Sequence, residues 1–269
     1  MQYALPAFFA LFVWWFSTGL VIFLDNLPRR TFAFSMAGAV LVAGFSLAGL
    51  AASARLPNLA GAYEAFFIAL MAWVFQEISF YTGFITGPRK HACVAGCHGA
   101  KHFGHALQAT LWHEMLIVAS FGVVAWLTWG APNQVGLWTF AVLWWMHESA
   151  RLNVFFGVKN LSEEFLPAHL AYLKSFFRSA PMNLFFPLSI TVSMVAATLL
   201  FTWAAGAQSA FTRAGDVLVG TMMALAIAEH WFLVVPLPAA KLWHWGLASR
   251  GKNFAPRRPG LACDVPQES

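Results

Sequence analysis

Seven apolar runs of about 20 residues each, divided by short polar turns, fix what this chain can fold into. Inside a bilayer every backbone N–H and C=O must be paired within its own segment or in a closed barrel. A helix needs roughly 20 residues to cross and a barrel strand about 10, so runs of this length are helices. They fall at about 3–24, 31–52, 60–86, 105–128, 134–157, 183–205 and 214–237. Asp25-Asn26-Leu27-Pro28-Arg29-Arg30, Pro57-Asn58, Gly130-Ala131-Pro132-Asn133 and Pro236-Leu237-Pro238 break the runs with turn-forming residues. The expected fold class is all-α: a polytopic integral membrane helix bundle of about seven transmembrane helices. A single membrane domain covers 1–247, and a loosely ordered cytoplasmic tail covers 248–269. Charged residues are 10% of the chain, where a soluble domain carries about 25%.

The net charge of +5 is not the footprint of a nucleic-acid binder, because of where the basic residues lie. Arg29, Arg30, Arg89, Lys90, Lys101, Lys159, Lys174, Arg178, Lys241, Arg250, Lys252, Arg257 and Arg258 fall on one set of alternate connectors and the tail. Arg55 and Arg213 fall on the other set. That bias predicts a periplasmic N-terminus and a cytoplasmic C-terminus in a multi-pass bacterial inner membrane protein. The first run has no basic stretch before it and no small-residue exit site, so it is expected to stay as a span. In the connector 158–182, Ser162 is placed to cap a helix with Glu163 and Glu164 in its first turn. Leu170, Leu173 and Phe177 share a face opposite Lys174 and Arg178. This segment is expected to be an amphipathic helix on the cytoplasmic interface.

Three adjacent His/Glu pairs interrupt the apolar runs: His113–Glu114, His147–Glu148 and Glu229–His230. Chance would give roughly half a pair in a chain with this many His and Glu. Ionisable groups within a bilayer are costly and mark functional sites. At 1.5 Å per residue, Glu77, His113–Glu114, His147–Glu148 and Glu229–His230 all lie roughly 11–14 Å from the inner ends of their helices. One layer in the cytoplasmic half is thus expected to gather four carboxylates and three imidazoles. Carboxylate and His ligands on facing helices hold di-iron and di-manganese centres. Those bundles use Glu-x-x-His, however, whereas adjacent residues point about 100° apart. One member of each pair is then a ligand and the other a supporting partner. The ligand set is Glu77, His113, Glu114, Glu148, Glu229 and His230, for iron or another transition metal. Interhelical ion pairs that include Arg151 are the structural alternative. His113 or His230 as an axial ligand of bacteriochlorophyll or haem is a third reading. Glu164 and His169 would close the inner mouth of the layer.

The connector 87–104 carries Cys93, Cys97, His98 and His102, ligand types suited to a second zinc or iron site. Cys-x3-Cys-His is not the haem-attachment spacing, and an odd, sparse set of three Cys is no disulfide framework.

Four stretches resemble one family: Leu-Thr-Trp-Gly-Ala-Pro-Asn-Gln-Val-Gly-Leu-Trp-Thr-Phe (127–140), the segment from Ser-Ala-Arg-Leu-Asn-Val-Phe-Phe-Gly-Val-Lys-Asn-Leu to Lys-Ser-Phe-Phe-Arg (149–178), Pro-Met-Asn-Leu-Phe-Phe-Pro-Leu-Ser (181–189) and Glu-His-Trp-Phe-Leu-Val-Val-Pro-Leu-Pro (229–238). They are similar to the photosynthetic complex assembly protein 2 family, PuhE, of purple phototrophic bacteria, and the resemblance runs to about residue 247. It implies a non-enzymatic membrane factor that supports reaction-centre assembly or bacteriochlorophyll supply. Its partners would be the lipid bilayer, reaction-centre subunits or bacteriochlorophyll biosynthetic enzymes. It also implies a basic residue near position 147 among relatives, which favours ion pairing in that helix and leaves His147 out of the ligand set. It carries no catalytic residue onto this chain. The alternative, from the residues alone, is a membrane metalloenzyme: an oxidase or hydroxylase acting on a tetrapyrrole or another lipophilic substrate. A carrier is disfavoured because no internal repeat is present.

Overall fold

A computed structural model describes residues 1–94 and 96–253. Among them the regular structure is helical and no strand is present. The long helices are α1 (Ala4–Asp25), α2 (Phe32–Ser53), α3 (Leu59–Tyr81), α4 (Gly99–Leu127), α5 (Val135–Phe156), α6 (Phe185–Gly206) and α7 (Ala210–Phe232), followed by α8 (His244–Asn253). Six of them, α1 to α4, α6 and α7, are long and apolar enough to cross a membrane. The fifth, α5, is as long as α1, at 22 residues, but His147, Glu148 and Arg151 dilute its apolar character. The chain is thus a helical, multi-pass membrane protein.

Burial separates the helices into two groups. α3 and α7 are the inner ones, with about half of their apolar windows buried, against a third or less for α1, α2, α4 and α6. α3 packs against α1, α2, α4, α5 and α7, and α7 packs against α1, α3, α5 and α6. Their contact faces use small residues, Ala62, Ala65, Ala69, Gly215 and Gly220, which let backbones approach. The outer helices turn Phe8, Phe34, Phe45, Leu188 and Trp203 outward. In water such faces would be aggregation surfaces, whereas in a bilayer they meet acyl chains.

The ends of the helices are set by side-chain caps. Asn58 accepts from Gly61 N–H at 2.8 Å to start α3. Ser209 accepts from Thr212 N–H at 3.0 Å to start α7. Asn183 accepts from the N–H groups of Phe185 and Phe186 to start α6. Asn133, before α5, is fully buried. Its amide donates to the carbonyls of Ser53, Leu56 and Gly61, and its own oxygen accepts from Val135 N–H. One side chain therefore ties the α2–α3 turn to the start of α5. The indoles of Trp15 and Trp243 bond reciprocally to Leu242 O and Trp15 O, fastening the segment before α8 to α1.

Several boundaries differ from the sequence expectation. α3 stops at Tyr81 rather than 86, α4 begins at Gly99 rather than 105, and α7 stops at Phe232 rather than 237. Residues 82–90 leave the helix and fold back along α4. The N–H of His113, in mid-helix, donates to Thr86 O at 2.9 Å, and Arg89 N–H donates to Gln108 O at 3.3 Å. Gly87 permits this approach, because a Cβ there would run into the α4 backbone from Gln108 to Thr110. Irregular backbone at this depth is tolerated because protein covers it.

The connector 158–182 is also different. Ser162 is in the left-handed region, with φ 51°, and makes no capping bond. The expected amphipathic α-helix is a 3₁₀ helix, Ala168–Phe176. In 3₁₀ geometry residues three apart eclipse, so Leu170, Leu173 and Phe176 form the buried edge and Phe177 drops out of it. That edge packs on Phe80 and Ala109 of the bundle instead of lying on lipid. Gly157, with φ 120°, begins the connector, and Val158 pairs with Arg178 and Ala180 to close it. Residues 248–253 form the last turns of α8, and 254–269 of the expected tail lie outside the described residues.

Asn133→Ala removes three donations into buried carbonyls. The expected loss is about 1–3 kcal/mol of stability, read as a lower thermal midpoint in detergent, with helix content at low temperature unchanged.

Candidate functional site

The polar layer expected from sequence assembles, but with different members at its centre. His113, Glu114 and His147 each offer a ligand atom within 4.8 Å of the others. The His113 and His147 rings stand edge to face at 5.3 Å, and His113 also lies against Phe80 at 4.5 Å. Glu77 Oε1 is 3.6 Å from His147 Nδ1. Because α4 starts six residues earlier than expected, His113 sits roughly 21 Å along it, while Glu77 is only roughly 6 Å from the end of α3. Glu77 still joins His113 through His147, since residues 82–90 turn back beside α4 and let that helix run past the end of α3.

The ring nitrogens of His113 are both buried and have no hydrogen-bond partner among the described residues, and neither has Nε2 of His147. A neutral imidazole must carry a proton on one nitrogen, and an unmet buried donor costs about 1–3 kcal/mol. His230 is the opposite case. Its Nδ1 is 2.9 Å from Ala226 O, which can only accept, so Nδ1 is protonated and Nε2 accepts from Ser149 Oγ at 3.0 Å. Its lone pair is already used.

Arg151 projects from α5 into the same layer. It donates to Glu114 of α4 through a charged contact, and to Thr110 Oγ1 at 2.5 Å. It also lies 3.4 Å from Glu148 one turn earlier. Glu148 is therefore an Arg151 partner and lies beside the His pair rather than within it. Glu229 lines the same cavity as Glu77 and Trp14.

Several of these groups, though not His113 or Glu114, line this cavity of about 520 Å³ between α1, α3, α4, α5 and α7. Glu77, His147, Glu148, Arg151, Glu229 and His230 line it, and most of the rest of its wall is apolar or aromatic, including Trp14, Leu70, Phe155 and Trp243. A largely apolar cavity with a few convergent polar groups is the ordinary form of a small-molecule site. Of the two expected mouth residues, neither lines it. His169 packs against Phe32 at 5.6 Å, where burial and then the charge of Arg29 hold its pKa below the usual histidine value. Glu164 borders a shallow hollow with Lys159 and Asn160. Ser162, Phe165 and Leu166 take the place of those two residues at the cavity.

The connector cluster also gathers, with one exchange of member. Cys93, Cys97 and His102 come together, whereas His98 bonds to Gly96 O at 2.7 Å and His105 takes its place. From sequence, the family resemblance sets His147 aside from the ligand set, Arg151 enters only through the ion-pair alternative, and the connector site leaves out His105. His105 had a signal, since it falls three residues after His102 and so on the same helix face.

The family pattern of proteins of unknown function called DUF3623 matches residues 1–253. The chain belongs to that family. A relative from Rhodobacter capsulatus is 39% identical over 251 residues, covering 91% of each chain. It is described as an uncharacterized 30.4 kDa protein in the puhA 5′ region. No solved structure matches the chain. The DUF3623 match spans all eight helices, so the layer, the cavity and the connector cluster all lie within the family's extent.

Arg151→Met strands Glu114 and Glu148. The pair is partly accessible from the cavity, so the expected cost is about 2 kcal/mol, between an exposed pair and a sealed one. Arg151→Met with Glu114→Gln should recover much of it, and a double-mutant cycle of thermal midpoints measures the coupling.

Proposed function

We propose that this chain is a membrane factor that serves reaction-centre assembly or the supply of bacteriochlorophyll to it, holding a lipophilic ligand in the central cavity. The observation that carries this reading is the 39% identical relative in the puhA 5′ region, joined to the PuhE resemblance. In this reading all seven long helices cross the membrane, α5 included, with the N-terminus periplasmic and the polar layer in the cytoplasmic half. The basic connectors support that orientation. A largely apolar cavity with a few charged groups suits a ligand with a hydrophobic body and a polar head.

A second reading, metal-dependent oxidation of such a ligand, is favoured by the unpartnered nitrogens of His113 and His147 beside Glu114. Two His and one carboxylate with open positions suit a mononuclear non-haem iron more than a di-iron pair. Charge points the same way. Glu77, Glu114 and Glu148 against Arg151 leave an excess of carboxylate that protons or one divalent cation would neutralise, and the guanidinium already occupies the space beside Glu114.

Deleting the gene in a phototrophic host should lower reaction-centre absorption in isolated membranes. Re-supplied Ala226→Phe, which fills the cavity, should restore the protein but not the absorption. Unchanged reaction-centre content in the deletion strain would sink the assembly reading. For the metal reading, detergent-purified protein should carry about one iron or manganese per chain, lost in His113→Ala and Glu114→Ala. Folded wild-type protein without either metal ends it.

A further inference from the structure

Away from the polar layer, the α3–α4 connector builds a compact set of soft ligands. Cys93 Sγ lies 3.3 Å from His102 Nδ1 and 3.3 Å from His105 Nδ1. Cys97 Sγ lies 3.5 Å from the same nitrogen of His105. The spacing is Cys-x3-Cys-x4-His-x2-His over residues 93–105. Zinc–sulfur bonds of about 2.3 Å and zinc–nitrogen bonds of about 2.0 Å place the S and N ligand atoms of a tetrahedral centre about 3.5 Å apart. The three measured sulfur–nitrogen separations match that edge length, and Cys93, Cys97 and His102 offer ligand atoms all within 4.8 Å of one another. Hydrogen bonding explains them less well. Both sulfurs approach one nitrogen of His105, and a single lone pair or proton serves only one of them with good geometry.

The ligands are also held in place independently of one another. His102 and His105 stand one turn apart on the first turns of α4, which begins at Gly99. The His102 ring stacks on Phe155 near the end of α5, with centroids 5.5 Å apart and planes at 25°. Cys93 N–H donates to Ser175 Oγ at 2.9 Å, which ties the thiol-bearing strand of the connector to the 3₁₀ helix. Neither cysteine is in a disulfide among the described residues, and both are partly buried. Four side chains from two segments thus gather around Cys93 Sγ before any cation is added.

We propose that Cys93, Cys97, His102 and His105 bind one zinc-class divalent cation in a closed four-ligand site. Four protein ligands leave no open position, so the ion is structural rather than catalytic. It fastens the connector to the base of α4, beside Phe103, Phe155 and Phe176, which wall the cavity. The connector in turn carries Thr86, whose carbonyl meets His113. A metal here would fix the fold-back on which the polar layer depends. The site is independent of what the cavity holds.

The test uses the full chain, purified in mild detergent without chelator, with zinc alone as the probe. Elemental analysis should give about one zinc per chain, falling at least about tenfold in Cys93→Ser and His105→Ala and unchanged in His98→Ala and Glu114→Ala. Cobalt(II) substitution should give the thiolate charge-transfer and visible bands of a tetrahedral centre. In the unmutated protein, zinc should protect both thiols from alkylation and a chelator should expose them, which needs no variant to fold. Zinc retained by Cys93→Ser overturns the proposal. So does wild-type protein that holds neither zinc nor cobalt while both thiols are freely alkylated, or a Cys93–Cys97 disulfide in protein isolated without oxygen.

Discussion

A guanidinium inside an apolar bundle must be answered by carboxylates, and the architecture around Arg151 follows from that requirement. An unpaired charge at such depth costs several kcal/mol by the more modest scales. Arg151 on α5 takes Glu114 from α4, Glu148 from its own helix and the hydroxyl of Thr110. The pairing fixes the rotation of α4 about its axis. With Glu114 turned to Arg151, the preceding residue, His113, points about 100° away, into the space beside His147 and Phe80. The adjacency of His and Glu that argues against a shared ligand face thus has a structural use. One residue anchors the helix through charge, and the other is presented where little else can bond to it.

The same layer shows two ways of treating a buried imidazole. His230 is closed off by Ala226 O and Ser149, which leaves it a helix-to-helix connector between α7 and α5. His113 and His147 retain unmatched nitrogens. Buried polar atoms are nearly always paired, so these nitrogens set His113 and His147 apart from His230. The difference between these histidines depends on the rotamers and neighbours of each, and pair spacing along the chain carries no trace of it.

Much of the fold was legible from the sequence. The run lengths gave all seven long helices, and Pro57-Asn58 and Pro132-Asn133 marked turns that the caps then explain. The members of the polar cluster stood out as ionisable residues in apolar runs, but the equal depths counted for them do not hold, because α3 stops at Tyr81 and α4 begins at Gly99. Two things were out of reach. The fold-back at 82–90 depends on Gly87 meeting the α4 backbone, a contact between segments that local patterning does not encode. The 3₁₀ form of Ala168–Phe176 depends on its apolar edge finding Phe80 and Ala109, and a spacing of three fits either helix type over so short a stretch.

By itself, the sequence determined that this chain is a bundle of membrane helices with ionisable groups set into the apolar runs, because the bilayer demands long apolar helices and makes each exception costly. Tertiary structure decided which of those groups face one another. It placed His147 at the centre beside His113, handed Glu148 to Arg151, and exchanged His98 for His105 in the connector cluster. A helix presents each side chain in a fixed direction, but which neighbour lies there depends on how the helices are turned and where irregular backbone lets one run past another. That information resides in packing between distant segments, and no window of the sequence contains it.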